Sequence, residues 1–209
     1  MTHPDQSDRP ELETVASHDD VADFGIPVSL DEIGATVAVE REFLTALVWA
    51  PGELTTSIVR ALVGDGRLAA HAPLFYLPGH GEVFRLVVES VDAAAPLAPA
   101  DLARHFTDPR ATAPFRNLLM EIASPNPAGP WPLPTDADLP ALAQAVVDQW
   151  HRRGYQALLE RMGTVLAEER NDDLGAHWEA LSLHQRTAER TRAAVLDALG
   201  GLTVDPAPS

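Results

Sequence analysis

Apolar positions recur at helical spacing along most of the chain. Ser29 to Glu32 reads as a capping box that opens a helix, and Val37, Leu44, Leu47 and Val48 then share one face until Pro51 stops it. Leu54, Ile58, Val59 and Leu62 predict a second helix, closed by the turn residues Gly64-Asp65-Gly66. Val83, Phe84, Val87, Val88 and Val91 form a third apolar run. Taken alone it suits a strand as well as a helix, and its helical neighbours decide for helix. Pro99 is placed to start a short helix through Leu102 and Phe106, and another is expected from about Phe115 to Ile122, with Leu118 and Leu119 on its apolar face.

The pattern then breaks. SPNPAGPWPLPT, residues 124–135, holds five prolines and reads as a stiff extended connector. A proline-rich ligand for an SH3-like module, with Trp131 as an anchor, is the less favoured reading. Thr135 to Asp138 repeats the capping-box signature, and a long helical pattern runs from there to about Arg170. Asn171-Asp172-Asp173 interrupts it, and a second long helix ends at Leu199 before Gly200-Gly201. Two long helices joined by a three-residue polar turn must lie antiparallel. The expected fold is therefore all-α: a small globular helical bundle over 26–123, the connector 124–135, and a long antiparallel helical hairpin over 136–200. Residues 1–25 carry seven acidic side chains against Arg9 alone, with few large apolar groups, and read as a disordered tail; 201–209 reads as a flexible one.

The hairpin has more apolar surface than one partner helix needs. On its second helix Leu174, Trp178, Leu181, Ala188, Val195 and Leu199 follow steps of four and three, with Gln185 and Arg192 at the two remaining seam positions. On its first helix Tyr155, Leu159, Met162 and Leu166 form one stripe, and Leu158 and Val165 lie beside it. So wide a stripe asks for a second neighbour, and a second protomer is preferred over the globular part folding back. Tyr155, Leu158, Leu159, Met162, Val165, Leu166, Trp178, Leu181, Ala188 and Val195 are the expected assembly or partner surface.

Composition narrows the chemistry. The 209 residues suit one domain or a domain with an appendage. The formal net charge is −16, and all fifteen basic residues are arginine. Without lysine there is no phosphate-loop Lys and no Schiff base. So acidic a chain repels a phosphate backbone, and direct nucleic-acid binding is not expected. Absence of cysteine excludes disulfides, thiolate metal sites and cysteine nucleophiles. No apolar run approaches the ~18 residues of a membrane span, and nothing near the N-terminus has signal-peptide order, so a cytoplasmic protein with no membrane contact is expected. There is no H-E-x-x-H or H-x-x-x-H pair, no G-x-S-x-G elbow and no G-x-G-x-x-G loop. His177 and His184, seven apart, read as surface or interface histidines. Arg152-Arg153, the one adjacent basic pair, reads as a solvated helix face near Glu160 and Asp148. No catalytic residue, cofactor or metal is expected, and the chain is not read as an enzyme.

One stretch carries a resemblance. Phe75-Tyr76-x-Pro78-x-His80-x-x-Val83-Phe84-x-x-Val87 resembles, without a gap, the F-Y-x-P-x-H-x-x-I-F-x-x-I pattern of the N-terminal domain of DnaB-family replicative helicases. Upstream, the segment from Val39 to Pro51 is similar to that domain's first core helix, with Val39 and Thr45 where the family has Ala and Gly. Downstream, Leu97 to Leu102, Phe115 to Ala123 and the long-helix hairpin follow in the family's order. The resemblance covers about Ile26 to Leu199. The helicase-binding C-terminal domain of primases is similar in architecture and stands a close second.

The resemblance implies a scaffold. Hairpins of the family pair between subunits into a collar that contacts primase and loader proteins, and no catalytic residue carries over. The expectation is a stand-alone, non-catalytic interaction and oligomerisation module without the ATPase domain. It would be linked to DNA replication and bind itself and, through the same surface or another, a replicative helicase or primase. The alternative is a helical ligand-binding or regulatory protein unrelated to replication, its pocket between the globular helices and the hairpin. In either case Phe75, Tyr76, Pro78, His80 and Phe84 are structural: the aromatic rings are expected to fill the core, and the His80 ring to meet backbone groups at a helix start.

Overall fold

The computed structural model describes residues 30–64, 68, 74–95, 97–106, 111–125, 135–168 and 174–202. The expected acidic tail, most of the proline-rich connector, the Asn171-Asp173 turn and the end of the chain lie outside the described residues. Within them every regular element is helical: α1 (Leu30–Trp49), α2 (Gly52–Val63), α3 (Pro78–Asp92), α4 (Pro99–Phe106), α5 (Ala113–Ala123), a 3₁₀ turn (Asp136–Asp138), α6 (Leu139–Glu168) and α7 (Leu174–Gly200).

Each boundary has a local cause. α2 follows Pro51, and Pro78 occupies the first turn of α3, where its missing N–H costs nothing. The ambiguous third apolar run is thereby settled as helix, with Val83, Phe84, Val87 and Val91 on its buried face. α3 ends with Ala94 in the left-handed region at φ 54°, while the Ala95 N–H donates to Ser90 O at 2.9 Å. α5 begins at Ala113, two residues before the expected start, because Thr112 is an N-cap whose side chain accepts from the Phe115 N–H at 3.4 Å. At Thr135 the N–H and Oγ1–H both donate to Asp138 Oδ2, at 2.8 and 2.7 Å, so the capping box forms as expected.

α1 is the central element, and α3, α5 and α6 all pack on it. Its fully buried Phe43, Leu44 and Leu47 belong to one core cluster with Ile58 and Leu62 of α2, Val83 and Val87 of α3, Leu102 of α4, and Leu119 and Ile122 of α5. Burying each such side chain contributes roughly 1.5–3 kcal/mol. Trp49 closes the α1–α5 contact by donating Nε1–H to Ile122 O at 2.9 Å. The same cluster continues into the long helices through Leu139, Ala143, Val146, Val147 and Trp150 of α6 and Val195 and Leu199 of α7. The first half of α6 thus has α1 as its second neighbour.

Candidate functional site

The α6–α7 pair is held in register by polar rungs. Arg192 donates from Nε and Nη2 to Asp148 Oδ1, at 2.8 and 2.6 Å. Further along, the Tyr155 hydroxyl donates to Glu189 Oε1 at 2.6 Å and accepts from Gln185 Nε2 at 2.7 Å. Position 148 pairs with 192 and position 155 with 185 and 189, so the helices run in opposite directions. The polar interruptions at Gln185 and Arg192 are the groups that fix this alignment, as a buried polar position does in a coiled coil. The hydrogen bond to Glu189 holds the Tyr155 hydroxyl above its ordinary range, and Tyr155 and Gln185 hold the Glu189 carboxyl below its own. Burial, then the Arg192 charge, hold His151 below the usual histidine value.

The expected assembly residues divide along this pair. Val195 lies in the shared core, Val165 is buried, and Ala188 packs on the core edge. Tyr155, Leu158, Met162 and Leu181 are half-buried along the seam. Leu159, Leu166 and Trp178 are left 46%, 59% and 61% exposed. Leu183, which the periodic reading passed over, is 57% exposed. Its signal was its place two residues from the seam position Leu181, which turns it off the seam.

The second assembly of functional groups surrounds Glu40, which sequence reasoning did not single out. Glu40 is fully buried on α1. Its Oε1 accepts from the Tyr76 N–H at 2.5 Å and its Oε2 from the Leu77 N–H at 3.4 Å. His80 Nδ1 stands 2.8 Å from Oε2, and Arg153 Nη1 lies 3.6 Å from Oε1. Arg153 also donates from Nη2 to Leu74 O at 2.5 Å. With the carboxylate ionised, Nδ1 carries the proton of the His80 contact. One acidic side chain therefore ties the Phe75–His80 segment to α1, and one arginine ties it to α6.

Three expectations change here. His80 is at a helix start and buried, yet its ring meets a carboxylate rather than backbone groups. Phe75 and Phe84 do fill the core, against each other and Phe43 at centroid distances of 5.3 to 6.3 Å, but Tyr76 is 40% exposed. Its N–H is committed to Glu40. Arg153 is not on a solvated face: it is half-buried against Glu40 and Leu74, and loss of water lowers its basicity while the Glu40 charge opposes that shift. Pro78 is exposed at the first turn of α3, as its role there allows.

Beside Tyr76, a cavity of about 250 Å³ opens between α1 and α6, lined among others by Thr36, Val39, Gln149, Arg152 and Arg153. Among the described residues no group of three or more His, Asp or Glu side chains is placed to hold a metal ion, and no helix is long and apolar enough to cross a membrane. No protein-family model, no curated protein and no solved structure matches the chain.

Proposed function

We propose that the chain is a non-catalytic interaction and oligomerisation module of the helicase N-terminal-domain kind, cytoplasmic, and working in DNA replication through a second copy of itself and a replicative helicase or primase. The observation that supports this reading is the exposure of Leu159, Leu166, Trp178 and Leu183 on the distal half of the α6–α7 pair. The basal half of the same pair is buried in the core. Large apolar side chains grouped on one end of a helix pair mark an association surface more often than a solvated one. The Phe75–Val87 motif supplies the link to replication. Size-exclusion chromatography with light scattering at micromolar concentration, together with pull-downs against the host's helicase and primase, tests the reading. A clean monomer that binds neither protein sinks it.

The cavity beside Tyr76 favours a second reading, a helical ligand-binding or regulatory protein. It opens between α1 and α6 of the two packed units, with Thr36 and Val39 on one wall and Gln149, Arg152 and Arg153 on the other. A ligand specific for the folded state would raise the melting temperature.

A further inference from the structure

We infer that a cavity between α1, the start of α3 and α5 binds a small neutral molecule, an apolar body with one hydroxyl or N–H group, which donates its hydrogen bond to His80 Nε2. The cavity has a volume of about 420 Å³, within the ~300–1,000 Å³ of small-molecule sites. It shares no lining residue with the cavity beside Tyr76, and the assembly surface on α6 and α7 contributes nothing to it.

His80 is the group that points to a ligand. Its side chain is 3% exposed, and Glu40 holds the ring proton on Nδ1, so Nε2 presents a lone pair. Among the described residues Nε2 has no hydrogen-bond partner. It is nevertheless not one of the polar atoms that the fold seals off without a partner, which are Gln149 Oε1, Trp150 Nε1, His151 Nε2 and Arg153 Nη1. Nε2 therefore keeps accessible surface, and His80 lines the cavity. A nearly buried acceptor with a fixed tautomer and an open approach is completed by a donor from outside the chain.

The rest of the lining sets the charge and the body of that donor. An anion brings no proton to Nε2 and meets Glu40 behind the ring. An ammonium would leave two of its three donors among Val37, Leu77, Phe115 and Leu118, at the full cost of desolvating them. Those four half-buried side chains instead suit an apolar body. At the rim Arg41 and Glu121 form an ion pair at 3.8 Å, so their charges offset each other and select for neither sign.

The test uses the full chain in titration calorimetry and thermal unfolding, with 4-ethylphenol as the probe. It should bind and raise the melting temperature with concentration. Its methyl ether, 4-ethylanisole, which has no donor, should bind at least tenfold more weakly, as should 4-ethylbenzoate and 4-ethylbenzylamine. Val37→Trp, which fills the cavity from a half-buried position on α1, should abolish binding at unchanged helicity. On the unaltered chain, nitrogen NMR of the histidine side chains should show His80 Nε2 unprotonated and shifted by 4-ethylphenol but not by the ether. No binding of 4-ethylphenol, or equal binding of the ether, would overturn the inference. So would an unmoved Nε2 signal, or undiminished affinity in a folded Val37→Trp variant. None of these results alters self-association, which light scattering reads separately.

Discussion

Glu40 and His80, forty residues apart, face each other at 2.8 Å with both side chains almost wholly withdrawn from water. Around them converge the Tyr76 N–H and the Arg153 guanidinium. The Phe75–His80 segment is thus a clasp: Phe75 enters the core, its backbone hangs on Glu40, and α6 closes over it through Arg153. A buried charge set of this kind is costly to break from one side, because the remaining members lose their partner without regaining water.

Glu40→Ala should therefore lower the unfolding free energy by about 3–5 kcal/mol. His80→Ala should cost less, about 1–3 kcal/mol, since Glu40 keeps its two N–H donors. Urea unfolding of the two variants measures both. A cost below about 1 kcal/mol for Glu40→Ala would show that the clasp does not hold the fold.

The two ends of the α6–α7 pair should respond in opposite ways. Leu199→Ala, in the core, should cost about 2–5 kcal/mol in monomer stability, whereas Leu166→Ala should stay within about 0.5 kcal/mol. Leu159→Glu with Leu166→Glu should instead abolish self-association at unchanged helicity. Light scattering and circular dichroism on the same samples separate the effects.

His151 makes a pH-dependent contribution. Burial and then Arg192 favour its neutral form in the fold, so on acidification the unfolded chain takes up this proton first. Stability should fall as pH drops through about 6.5, the ordinary histidine value, and level off below the depressed folded value. His151→Gln should flatten that part of the profile relative to the parent protein. Identical profiles between pH 7.5 and 5.5 would remove the assignment.

Tyr155→Phe removes both hydroxyl bonds, to Glu189 and Gln185, and should cost about 1 kcal/mol. The Asp148–Arg192 rung is more than a third exposed on both sides, and a double-mutant cycle should give it only about 0.2–1 kcal/mol.

Ala94 holds a left-handed conformation that glycine adopts freely. Ala94→Gly should raise stability by about 0.5–1 kcal/mol, seen as a higher melting temperature. A lower one would mean that the Ala94 methyl contributes packing that outweighs the strain.

Helices whose signals are local were legible in advance. The Thr135–Asp138 capping box, Pro78 and Pro99 at helix starts, and the three- and four-residue apolar steps each act within one or two turns, so linear reading finds them. The α5 start was missed by two residues because Thr112 caps it without the acidic partner of a full capping box. The Arg152-Arg153 pair was misplaced for another reason. Adjacent residues on a helix point about 100° apart, so one guanidinium reaches solvent while its neighbour turns inward, and the linear string gives them one label.

By itself the sequence determined an all-helical chain, the helix boundaries set by caps and prolines, and which faces are apolar. Those properties depend on neighbours a few residues away. Only the tertiary structure decided that the core runs on from α1 into α6 and α7, that Glu40 is the one buried acid among the described residues, and that Arg153 and Gln149 line a cavity with Thr36. Carboxylates look alike in a chain this acidic, and only the approach of distant segments makes one of them a partner for a histidine and an arginine.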